Sequence, residues 1–81
     1  MAAFARNEAE IADRVSRYLK AELKRADVTY ESLAERLAKH GLKGETVASI
    51  KNKLARGTFA ATFLLAVLAA LELEGVRLED L

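Results

Sequence analysis

The sequence predicts an all-α fold of four to five helices, the first of them long. Three observations predict it. No proline occurs in the 81 residues, where average usage of about 5% would supply roughly four. Apolar residues recur at spacings of three, four and seven, the period of one helix face. All four glycines, Gly41, Gly44, Gly57 and Gly75, fall between the apolar periodic stretches rather than inside them, where helix punctuation belongs.

The first stripe, Phe4, Ile11, Val15, Tyr18, Leu19, Leu23 and Ala26, predicts an amphipathic helix about 30 Å long. Its outer face pairs Glu10 with Arg14 and Asp13 with Arg17 at i,i+4, which supports a solvated helix and needs no function. The chain then breaks and restarts. Thr29 can cap the amides of the next turn, and Val28 before it can staple to Leu33. A second helix over residues 30–39 follows, with Leu33, Ala34 and Leu37 inward, and Gly41 supplies a left-handed stop. Val47, Ile50 and Leu54 predict a third helix over 45–55, closed by Gly57 and presenting Thr46, Ser49, Lys51, Asn52, Lys53 and Arg56 outward. Thr58 is the expected cap of a fourth helix over 59–73, and residues 75–81 end in a short turn or strand. With no linker, repeat or low-complexity stretch, the chain is one domain, 1–81, in which 1–18 form an N-terminal helical extension and 29–57 the core.

Composition narrows the function. At this length folding buries only roughly 60 to 65% of the chain's surface, so a deep cavity would compete with the core for apolar side chains. The absence of cysteine removes disulfides, thiolate metal sites and a thiol nucleophile, and the single histidine, His40, forms no nitrogen-ligand cluster. Ser16, Ser32 and Ser49 have no His and Asp constellation, and Gly41-Leu-Lys-Gly is too short for a phosphate loop. The expectation is a protein that is not an enzyme and uses no cofactor or metal. The longest apolar run, residues 59–71, spans 13 positions against the roughly 20 needed to cross a bilayer. The N-terminus has no signal-peptide core, so a cytoplasmic protein without membrane contact is expected.

Net charge is only +1, but it is unevenly distributed. Residues 1–28 sum to +1, residues 29–57 to +3 and residues 58–81 to −3. Between positions 36 and 56, Arg36, Lys39, Lys43, Lys51, Lys53 and Arg56 face Glu45 as the one acid. A basic stretch of this kind is either a solvated face or the electrostatic footprint of a nucleic-acid binder. Two short helices joined by a glycine-containing turn, the second basic outward, form the helix-turn-helix arrangement in which the second helix enters the major groove.

Specific residues sharpen this reading. Thr29-Tyr-Glu-Ser-Leu-Ala-Glu-Arg-Leu resembles the first motif helix of the Cro/C1-type (XRE) repressors, and Gly41-Leu-Lys-Gly-Glu-Thr-Val-Ala-Ser-Ile resembles their turn and recognition helix. Thr29-Tyr-Glu and Ala48-Ser-Ile-Lys-Asn-Lys-Leu are also similar to a short bacterial domain family of unknown function. The XRE resemblance implies a lambda-repressor-like domain with Glu45, Thr46, Ser49 and Asn52 facing bases, and Tyr30, Lys43, Lys51, Lys53 and Arg56 near phosphates. Reversal of Lys51 and Lys53 is then expected to abolish DNA binding. Several features differ from that family, among them Tyr30 where a Gln is usual, the anion Glu45 at a base-reading position, and a recognition helix that continues through Lys53-Leu-Ala-Arg. Ala38-Lys39-His40 reads as an extra turn at the end of helix two, and Lys43 stands where a capping Ser or Thr is usual, leaving Gly44 as the expected cap.

The fourth helix is apolar on every side, and a helix of that kind needs cover on every side. Either the long first helix supplies it within one chain, or a second protomer does. Homodimers are the commonest oligomers, and a two-fold axis would set two recognition helices on a palindromic site. Phe4, Ile11, Leu65 and Ala69 are the candidate interface residues. The expected function is a small, dimeric bacterial transcription regulator bound to double-stranded DNA. The alternative is a helical protein-interaction module on the same fold, such as an antitoxin, adaptor or anti-repressor with a protein partner.

Overall fold

The computed structural model describes residues 3–81, and its fold is all-α: α1 (Glu8–Arg25), α2 (Tyr30–Lys39), α3 (Val47–Arg56), α4 (Ala61–Ala70) and a closing 3-10 turn, Leu78–Asp80. The long first helix starts later than its apolar stripe predicts, because Asn7 caps it, its side chain accepting a hydrogen bond from the Glu10 amide at 2.9 Å. Phe4 therefore lies before the helix, its ring 4.8 Å beneath the Arg14 guanidinium carbon. Helix α2 has the predicted bounds. Thr29 accepts from the Ser32 amide at 3.1 Å, and Val28 and Leu33 are both buried across that cap as a hydrophobic staple. Helix α3 begins at Val47 rather than 45, since Thr46 and Ser49 form a reciprocal capping box. Gly44 and Thr58 are not caps. Helix α4 starts at Ala61 with no side-chain cap, because the chain spends residues 57–60 turning through the 113° bend between α3 and α4.

Three helices end in the same local device. After α1, α2 and α4 the chain places Asp27 (φ 57°), Gly41 (φ 92°) and Glu72 (φ 60°) in the left-handed region. In each case the next amide reaches back five residues: Val28 to the Leu23 carbonyl at 2.9 Å, Leu42 to Leu37 at 2.9 Å and Leu73 to Leu68 at 2.8 Å. These are Schellman motifs, which satisfy carbonyls that a helix end leaves open. Gly57 ends α3 with φ 71° for a second reason. A β-carbon there would lie 2.0 Å from the Ala12 carbonyl oxygen, so a glycine lets α1 and α3 touch backbone to backbone.

Packing runs α1 on α3, α3 on α2 and α2 on α4. The first helix thus covers α3 rather than forming the main cover of α4. Leu19, Leu33, Leu37, Ile50, Leu54, Phe63 and Val67 fill the centre. Two polar links tie the layers: the Ser16 hydroxyl, buried on α1, donates to the Leu54 carbonyl, and Arg36 Nη1 donates to the Ala70 carbonyl at 3.1 Å. Arg36 therefore closes the C-terminal end of α4, a helix with no basic residue of its own in its last turn. Ala26, predicted inward, is the exposed C-cap of α1, and Val47, predicted inward, is 41% exposed at the first position of α3. Among the described residues no single helix is long and apolar enough to cross a membrane.

Candidate nucleic-acid interface

Helices α2 and α3 are joined by residues 40–46, a connection about twice as long as the three- to four-residue turn of a usual helix-turn-helix. Gly41 and Gly44, both at positive φ, let it reverse twice before Thr46 starts α3. Lys43 is exposed between them.

Glu45, expected to face bases, turns inward instead. It stands immediately before the cap, its side chain only 9% exposed, in an ion pair with Lys53 Nζ, and its Oε1 accepts the Ser49 hydroxyl at 2.7 Å. Burial would push its carboxyl up, but hydrogen bonds from Lys53 and Ser49 and the Lys53 charge outweigh burial and hold it below the ordinary glutamate value. Lys53, expected near phosphates, is 29% exposed and spends its charge on Glu45, with its ammonium 4.9 Å from the centre of the Phe63 ring. Ser49 and Thr46, also expected at bases, are bound to each other in the capping box. Tyr30 packs half-buried against the core. The anion, the cation and both hydroxyls thus form the structural start of α3.

What remains outward is a single stripe. Ala48, Lys51, Asn52 and Ala55 are exposed on the side away from the buried Ile50 and Leu54, Val47 is exposed because it opens the helix, and exposed Arg56 ends it. Cations stand at Lys43, Lys51 and Arg56, an amide at Asn52, small residues lie between them, and the stripe holds no acid. The exposure of Val47 was missed because its spacing of three and seven to Ile50 and Leu54 is that of an inward residue. Taking Ile50 and Leu54 as the inward axis sets Ala48 and Ala55 outside.

The residues expected at a dimer interface fall in separate places, Phe4 ahead of α1, Ile11 on α1, and Leu65 and Ala69 on α4. Ile11, 41% exposed, lines an open groove of about 290 Å³ with Val15, Gly57, Phe59, Ala61 and Leu64. Leu65 is 64% exposed and Ala69 is exposed one turn further along α4. Among the described residues no three His, Cys, Asp or Glu side chains gather where a metal could be held.

Residues 11–76 match the family described as a domain of unknown function, DUF6471. No curated protein and no solved structure matches the chain. The matched segment spans all but the first turn of α1, the whole of α2, α3 and α4, and stops before the 3-10 turn.

Proposed function

The chain belongs to the DUF6471 family, and we propose that it binds duplex DNA with the outward stripe of α3 in the major groove, as a small bacterial transcription regulator of the XRE helix-turn-helix kind. One observation carries the reading. Glu45, the acid that would repel phosphates, is folded inward and neutralised by Lys53, so the outward face of α3 offers Lys51, Asn52 and Arg56 with no anion among them. Asn52 can pair bidentately with adenine, and the Val47 and Ala48 side chains suit a thymine methyl. Lys43, Lys51 and Arg56 would supply the phosphate contacts that dominate nonspecific affinity. As a homodimer, the protein would set two such faces on a two-fold symmetric site.

Fluorescence anisotropy on random duplex DNA tests it. If a dimer neutralises about six phosphates, affinity is expected to fall on the order of a thousandfold between about 50 and 200 mM salt. The combined Lys51→Glu and Arg56→Glu variant is expected to lose binding with its helicity intact. Reversal of Lys53 is not a clean probe, since it would set a second carboxylate against Glu45. A second reading, a helical protein-interaction module such as an antitoxin, adaptor or anti-repressor, is favoured by the long 40–46 connection and the open apolar groove beside Ile11. Absence of DNA binding even at the lower salt would make that reading the leading one.

A further inference from the structure

Helix α4 has a buried side, Phe63, Val67 and Ala70, and an unpartnered one, Ala61, Leu65 and Ala69. The second side repeats at i, i+4 and i+8 with a large residue between two small ones, the row along which helices pack ridge into groove. The row reads the same in both directions. If a second copy is laid antiparallel with a two-fold axis at Leu65, each Ala61 opposes Ala69 of the other copy, and the small pair lets the backbones approach while the two Leu65 side chains meet at the centre.

Charges at the two ends of α4 choose that orientation. At its N-terminal end the helix has no side-chain cap and no acid in its first turn, and Glu8 borders the groove there. At its C-terminal end stand Glu72, in no ion pair among the described residues, and Lys39. Antiparallel pairing brings Glu72 of each copy to the uncapped, positive end of the other copy's α4, and Lys39 towards Glu8. Parallel pairing would set Glu72 beside Glu72 and leave both N-terminal ends open. We infer that the Ala61, Leu65 and Ala69 face of α4 is a homodimer interface, two copies pairing this helix antiparallel about an axis at Leu65.

Two ten-residue helices cover less than the roughly 800 Å² per partner of a standard interface, so a weak, concentration-dependent dimer is expected. This specifies the self-association in the reading above and stands whether or not α3 binds DNA. Sedimentation velocity of the full chain without DNA tests it alone, over about 5 to 500 µM, where an interface of this size associates. The parent is expected to shift from monomer towards dimer, and Leu65→Glu to weaken association by about 30-fold or more, the scale of a central hot spot. Leu65 is 64% exposed, so that variant is expected to keep the parent's circular dichroism. Because the chain has no cysteine, a Leu65→Cys variant is a specific probe. It is expected to form a disulfide-linked dimer on oxidation, while Ile11→Cys stays monomeric. A parent that remains monomeric at the highest concentration overturns the inference, as does unchanged association of Leu65→Glu. Cross-linking through Ile11→Cys in place of Leu65→Cys also overturns it and moves the contact to the groove.

Discussion

Two kinds of residue hold left-handed backbone here, and they are expected to respond oppositely to substitution. Gly57 has φ 71° and faces the Ala12 carbonyl, where a β-carbon would lie 2.0 Å away. Gly57→Ala therefore combines backbone strain with a clash against main chain, and is expected to cost about 3 kcal/mol in urea unfolding. Asp27 at φ 57° and Glu72 at φ 60° carry β-carbons in the same region with their helix-ending bonds intact. Asp27→Gly is expected to stabilise by up to about 1 kcal/mol, relief of strain exceeding the added unfolded-state entropy. Glu45 makes a third case at this scale. Its carboxyl lies below the ordinary value near 4.5, so its contribution is full above that pH and is lost as pH falls through the lowered value. Glu45→Gln is expected to cost about 1 to 2 kcal/mol at neutral pH, the scale of hydrogen bonds to a charged group. The gap between parent and variant should close on acidification to below that lowered value. A gap that stays constant with pH would separate the loss from the carboxylate's charge.

At the scale of the element, α2 was legible to the residue because everything that bounds it is local: Thr29, the Val28 and Leu33 staple, and Gly41 all lie within a few positions of its ends. The starts of α3 and α4 were not. Glu45 looks like a helix-opening acid, yet it bonds eight residues on, to Lys53, and no helical spacing rule signals that pair. Thr58 looks like a cap, but the contact of Gly57 with α1 fixes the chain direction first, and the helix begins at Ala61. The capping box offers a direct check. Thr46→Ala is expected to lower stability by about 1 kcal/mol, whereas Lys43→Ala, in the exposed connection, should leave thermal unfolding unchanged and weaken only DNA binding. Equal thermal shifts in the two variants would contradict the assignment of Thr46 as the structural cap. The residue types of the candidate interface were thus readable from sequence, while their division into inward and outward members was not.

For the whole molecule, the order α1 on α3, α3 on α2, α2 on α4 separates two surfaces: α3 turns its basic stripe outward, and α4 turns out Leu65. Sequence could not give that order, since the apolar stripe of α1 would fit α4 as well as α3; the Gly57 contact and the Ser16 bond to Leu54 decide it. If the two surfaces act together, breaking one should change how the other responds to salt. A dimer neutralising about six phosphates has a log–log salt slope near −5, and a single protomer about half that. Leu65→Glu, which leaves every residue of the α3 stripe in place, is therefore expected to bind random duplex DNA with roughly half the parent's slope. The same variant with Lys51→Glu should lose binding altogether. An unchanged slope in Leu65→Glu, together with unchanged sedimentation, would mean that each protomer meets DNA alone. A halved slope with intact helicity would make α4 the element that couples two α3 helices on one duplex.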